Sequence, residues 1–171
     1  MFDDDLARDR ADWPLLQNGA VNLFRSPAVL QDAGQALAAL GYAIADLSCR
    51  GGWAGFQAEL SRVLQWEAQF GYGPWNGNLD ALRDGLGGYP FGPSRRAALI
   101  LDDFHVLVAA DPDGSHAVLD LLEASARDHL LLGNFLILLV RTDDPRYECA
   151  PIGARRASWN PREWLDQDRA G

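Results

Sequence analysis

Asp80 and Asp84 are two carboxylates four residues apart, with Arg83 between them, and they stand in the most informative stretch of this chain, Asn78 to Leu86. Positions i, i+3 and i+4 share one face of a helix. The three side chains would therefore project from one side, while Leu79, Leu82 and Leu86 fall at the spacing of a core-facing stripe. Asn78 stands where an N-cap belongs. It follows a turn-rich aromatic stretch, Gly71-Tyr72-Gly73-Pro74-Trp75-Asn76-Gly77. Carboxylates held on a rigid face accept charge-assisted hydrogen bonds from guanidinium, ammonium or imidazolium groups. The chemistry on offer is recognition of a basic surface. Asp80 in a first turn is also favoured by the helix dipole alone, and Arg83 could simply pair with it on a solvated face. Asp84 lies beyond that turn. Gly85 beside it costs a helix about 1 kcal/mol relative to Ala. It would either admit a partner's backbone or ease the end of a short helix.

Other chemistries are less well supplied. Acids at i and i+4 with no nearby His or third acid make a poor divalent site. Asp102 and Asp103 follow the apolar run 97–101, where α/β proteins often place catalytic acids. No glycine-rich phosphate loop accompanies them, so they read as solvated loop residues. His105, His116 and His129 are far apart and no GxSxG motif is present. Each reads as a surface or helix histidine. The expectation is a binding protein with no catalytic residue, no metal and no cofactor. The competing enzymatic reading is a metal-dependent hydrolase built on Asp80, Asp84 and Asp102.

The chain has 171 residues, 48% of them hydrophobic, enough for one globular domain with a sizeable core. Its formal net charge is -9 and its pI about 4.6. That balance opposes binding to nucleic-acid phosphates. It favours a basic partner, with electrostatically steered and salt-sensitive association, although many proteins are acidic for solubility alone. The two cysteines, Cys49 and Cys149, have neither CxxC nor metal-type spacing. A reduced, cytoplasmic chain is expected. No basic stretch followed by an apolar run opens the chain, so no signal peptide is expected. The apolar stretch 135–140 is too short to cross a bilayer, so no membrane is expected as a partner.

Alternating hydrophobicity and turn signals predict strands over 20–25, 42–47, 97–101 and 135–140. Helices are predicted over 27–40, 53–66, 79–86 and 115–131, with Asp111-Pro112-Asp113-Gly114 as a turn. Strand–helix alternation gives an α/β fold with a small, mostly parallel sheet and right-handed crossovers. Residues 1–18 read as an acidic arm that docks in part through Phe2, Leu6, Trp13, Leu15 and Leu16. Residues 142–171 are rich in Pro and Arg, with one or two helical turns over 160–165 and with Trp159 and Trp164 packing back.

Over roughly 42–140 the chain resembles the barstar family, intracellular inhibitors of barnase-type ribonucleases. The residues that carry the resemblance are Trp75-Asn76-Gly77-Asn78-Leu79-Asp80-Ala81-Leu82-Arg83-Asp84-Gly85-Leu86. They match a family pattern of an aromatic/Gly loop, Asn-Leu-Asp-Ala-Leu, a variable residue, Asp, a small residue and Leu. The resemblance implies a barstar-like core over 42–141. Residues 1–41 would be an arm and strand–helix unit added on one edge, and 142–171 a tail. It implies an immunity-type protein, in a toxin–antitoxin setting, that binds a basic ribonuclease one to one. Helix carboxylates would then block the active site as phosphate mimics. Asp84 matches the aspartate that enters the phosphate site, Asp80 a second acidic contact, and Asp128 a further one. Trp75 and Tyr72 fall in the aromatic loop that packs over the nuclease, and Gly77, Asn78 and Arg83 complete the surface. Arg83 stands where the best-known member has an aromatic residue, and Gly85 replaces the usual Cys. Both departures point to a partner other than barnase itself. The alternative is a barstar-like module for a basic partner that is not a nuclease.

Overall fold

Apolar runs bounded by turn residues become the strands of one sheet. The computed structural model describes residues 10–153 and 156–163. The elements in chain order are α1 (Trp13–Gln17), β1 (Val21–Phe24), α2 (Pro27–Ala39), β2 (Ala43–Ser48), α3 (Gly52–Val63) and α4 (Trp66–Phe70). They continue with α5 (Leu79–Gly87), β3 (Arg96–Asp102), α6 (His105–Ala110), α7 (Pro112–Leu131), β4 (Phe135–Arg141) and β5 (Ser158–Trp159). The sheet has five strands in the order β2-β3-β4-β1-β5, and every pair is parallel. The α/β expectation with a parallel sheet therefore holds. Leu99 of β3 sits opposite Ala45 of β2 and Leu138 of β4.

The chain steps from β2 to β3 to β4 in one direction, whereas β1 to β2 runs the opposite way past two strands. Crossovers of one hand then place the two sets of helices on opposite faces. One face packs Ala98, Ile100, Ile137 and Leu139 against Val29, Leu30 and Leu37 of α2. The other packs Leu99, Leu101, Leu136, Leu138 and Val140 against α3, α5, α6 and α7. Alternate residues of each central strand thus serve two cores, so 97–101 and 135–140 read as unbroken apolar runs.

Three expectations change. First, β1 is not an added edge. It lies between β4 and β5, with all four residues buried, and the tail supplies the edge strand. The tail is fastened further by Asn160, whose N–H donates to Leu23 O. The Glu163 carboxylate accepts the N–H groups of Arg25 and Ser26 at 3.0 and 3.1 Å, at the start of α2. Second, the quartet 111–114 starts α7 instead of forming a free turn. Asp111 accepts from Gly114 N and Pro112 takes the first helical position. Third, the helix over 53–66 is broken at Gln65, which adopts a left-handed conformation (φ 51, ψ 48). The break turns the Trp66 ring inward, beneath α5. As expected, Cys49 and Cys149 are free thiols, and Cys49 lies buried just past β2. Trp159 packs on the core as anticipated, while Phe2, Leu6 and Trp164 lie outside the described residues. Among the described residues no helix is long and apolar enough to cross a membrane.

Candidate functional site

The acidic helix α5 is fixed at its start by Asn78. That residue is extended (φ -68, ψ 116), and its side-chain oxygen accepts from Ala81 N at 3.0 Å. Trp75 fixes Asn78 in turn. Its indole Nε1 donates to Asn78 O at 2.6 Å, and its own N–H donates to Ser61 Oγ at 2.9 Å. The ring packs edge-on to Phe56 and is only 2% exposed. Trp75 is therefore a buried peg of the α4–α5 loop and not an open aromatic anchor. Resemblance placed it in an aromatic loop, but resemblance carries no information on which ring of such a loop faces inward. Tyr72 is the aromatic that faces out, at 54% exposure, resting on Trp66 and Phe70. Gly77 has φ +99, a conformation that favours glycine, and it makes the exposed turn into Asn78.

Along α5, Leu82, Gly85 and Leu86 are buried. Leu79, read from its spacing as core-facing, is 40% exposed. Side chains lean toward the N-terminus of their helix, so a leucine in the first turn of this short helix leans past the end of the core. Gly85 has an internal reason. A Cβ there would stand 2.6 Å from the Trp66 ring. The close approach belongs to this chain's own indole, not to a partner's backbone.

Asp80, Arg83 and Asp84 are all exposed. Among the described residues none of the three forms an ion pair. The Asp80–Arg83 pair that a merely solvated face would offer is not made. Across from them, α7 packs on α5. Ser125 Oγ donates to Leu86 O at 3.4 Å, and His129 Nε2 lies 2.8 Å from the same oxygen. Asp128 is exposed on α7, and it lines a groove of about 390 Å³ with Arg83, Gly87, Leu121, Leu132 and His129. The structure thus brings Asp128 to the same groove as Arg83. His129 is a helix histidine, as read, but it is buried and ties two helices together.

A second charged cluster lies at the carboxyl ends of the strands, and it corrects the reading of Asp102 and Asp103 as solvated. Buried Arg141 at the end of β4 bonds to Asp102, Asp103 and Asp143. Arg50 bonds to the other oxygen of Asp103. Asp103 is itself buried, with φ +57. Desolvation pulls its carboxyl upward, but the Arg50 hydrogen bond and the Arg141 and Arg50 charges outweigh that and hold it below the ordinary aspartate value. Burial, then the charges of Asp102 and Asp103, push the neighbouring Cys49 thiol up to about 12, which disfavours the thiolate. Asp103, His105 and Asp143 bring potential ligand atoms within 4.8 Å of one another. Both Asp103 oxygens are already neutralised by arginines, so a metal there would compete with two cations. The cluster is a structural ion-pair network. Sequence missed it because its members come from three strand ends, far apart in the chain. It also missed Glu123, a buried carboxylate on α7 that accepts Ala20 N and Val21 N at 2.9 and 3.2 Å and secures the start of β1.

Comparison with protein families gives a match to the model described as Barstar (barnase inhibitor) over residues 27–139. The match runs from the first residue of α2 into β4 and covers most of the chain. It begins upstream of Tyr42, so α2 lies inside the family region and is not an addition to it. No curated protein and no solved structure gave a match.

Proposed function

The chain belongs to the Barstar (barnase inhibitor) family, and from that premise we propose that it inhibits a basic ribonuclease by seating the carboxylates of α5 in the enzyme's phosphate site. The observation that carries this reading is the state of Asp84 and Asp80. Both are exposed and without an internal ion pair among the described residues, on a helix whose cap, buried stripe and packing leave it little freedom. A carboxylate so held loses little order on binding. Arginine, lysine and histidine side chains aimed at an RNA phosphate would donate to Asp84 instead.

Asp80 on α5 and Asp128 on α7 add exposed negative charge, and Tyr72 supplies an exposed ring on Trp66, which lies beneath α5. Asn78 and Gly77 act from behind, by fixing the entry to α5. The net charge of -9 draws in a basic enzyme at long range. Arg83 requires a partner that offers an acid or a neutral surface opposite it, which separates this chain's enzyme from barnase itself. The inhibition is by occupancy. It uses no catalytic residue, metal or cofactor, and it takes place one to one in the reducing cytoplasm, where both cysteines stay as thiols.

The test is to titrate the protein into a barnase-type ribonuclease while RNA cleavage is followed. The reading predicts stoichiometric loss of cleavage that weakens as salt rises. Undiminished cleavage with folded protein in excess, by this enzyme and by ribonucleases captured from the source cell, contradicts it.

A further inference from the structure

The left-handed Gln65 that separates α3 from α4 also decides what α4 turns toward the acidic helix. Trp66 and Gln69 stand three residues apart, on one face of α4. The Trp66 ring fills the space where a side chain at Gly85 would go. Half-buried Gln69 reaches the end of the same helix. Its Nε2 donates to Leu64 O, at the end of α3, and to Gly85 O at 3.3 Å. Both partners are carbonyls, which only accept, so the NH2 of the amide is on their side. Its Oε1 lies against Gly88, where an added Cβ would stand 2.3 Å away. Gly85 O needs this donor. In a continuing helix it would accept from Tyr89 N, but Tyr89 N donates to Leu86 O instead, at 3.1 Å. Gly88 N closes the last turn by donating to Asp84 O, also at 3.1 Å. Gln69 therefore grips the last turn of α5 at the carbonyl that follows Asp84 and at the residue whose N–H Asp84 accepts.

A helix of nine residues frays unless its ends are held. Asn78 and Trp75 hold the first turn of α5, with Asp80 in it. We propose that Gln69 is the positioning residue for Asp84: it acts through the last turn of α5, which it clamps so that the carboxylate stands in one orientation. The two ends of the helix then have separate supports, and each support serves one acid. That Asp84 meets a ribonuclease rests on the inhibitor reading. The clamp itself does not.

The test uses Gln69→Met, which keeps the length of the side chain and removes the donor. Amide hydrogen exchange of the free protein is the first arm. Protection at Gly88 and Tyr89 should fall about tenfold, with a smaller change at Ala81 and Leu82 in the first turn. Unchanged protection at Gly88 and Tyr89, or a loss of one size at all four, overturns the proposal. The second arm is a double-mutant cycle of inhibition constants against a ribonuclease that the wild type inhibits. Gln69→Met should weaken inhibition about fivefold in the wild type and in Asp80→Ala, and not at all in Asp84→Ala. Undiminished inhibition, or the same loss with and without the Asp84 carboxylate, also overturns the positioning role, while leaving the α5 reading in place. A wild type that inhibits no ribonuclease counts against the inhibitor reading alone, and the exchange arm still decides the clamp.

Discussion

Asp84 and Trp75 show how differently two residues of one motif can work. The exposed Asp84 side chain makes no ion pair among the described residues, so Asp84→Ala should leave the thermal midpoint within the change that about 0.5 kcal/mol produces. Trp75→Ala removes a buried ring and the donor that fixes Asn78 O. It should cost about 3–5 kcal/mol in denaturant unfolding. Any loss of binding in that variant would be indirect, through the start of α5. The acidic residues were legible in the sequence because periodicity alone puts them on one face. The role of Trp75 was not legible. The chain order shows an aromatic loop, but which ring turns inward depends on Phe56 and Ser61 of another helix. His129 was hidden for the same reason, since its partner is a carbonyl on α5.

At the level of elements, α5 was legible almost whole. Its cap, its buried leucines at 82 and 86 and its exposed acids all follow from spacing. Gly85 was not, because what it accommodates is the Trp66 ring, swung under it by the left-handed Gln65. Intrinsic propensity says that Gly85→Ala should stabilise a helix by about 1 kcal/mol. The structure says the opposite. The added Cβ meets the indole at 2.6 Å, and overpacking should cost about 1–3 kcal/mol net. A chemical-denaturation midpoint below that of the wild type is the expected result. Paired with Trp66→Leu, which opens space beneath it, the same Gly85→Ala change should cost less than it does alone. The start of α7 was misread for a local reason. Asp-Pro-Asp-Gly serves equally as a turn and as a capped helix start, and only the helix that follows decides.

For the molecule as a whole, strand content and the parallel α/β class were legible, because the runs at 97–101 and 135–140 are buried on both faces. Strand order was not. Nothing local says that β1 lies between β4 and a strand from the tail. Nor does it show that Glu163 reaches back to the start of α2. The network around Arg141 belongs to this scale, since it joins the ends of β3 and β4 to the turn after β2. Asp103 has its carboxyl held below the ordinary aspartate value of 3.8 in the folded chain. A lowered value means stability fully present above the unfolded titration and lost as pH falls through the folded one. Unfolding free energy should therefore fall on acidification below the ordinary aspartate range, and Asp103→Asn should flatten that limb of the curve. Arg141→Ala, which leaves buried Asp103 short of a cation, should cost about 3–5 kcal/mol.

In the proposed complex the exposed carboxylate of Asp84 makes the decisive contact. This is tested most directly by measuring the affinity of wild type and Asp84→Ala for one inhibited ribonuclease, at low and at physiological salt. A loss of about thirtyfold or more is expected in the variant, the scale of an interface hot spot, together with a shallower dependence on salt. Equal affinity for the two proteins, with equal salt dependence, would contradict it.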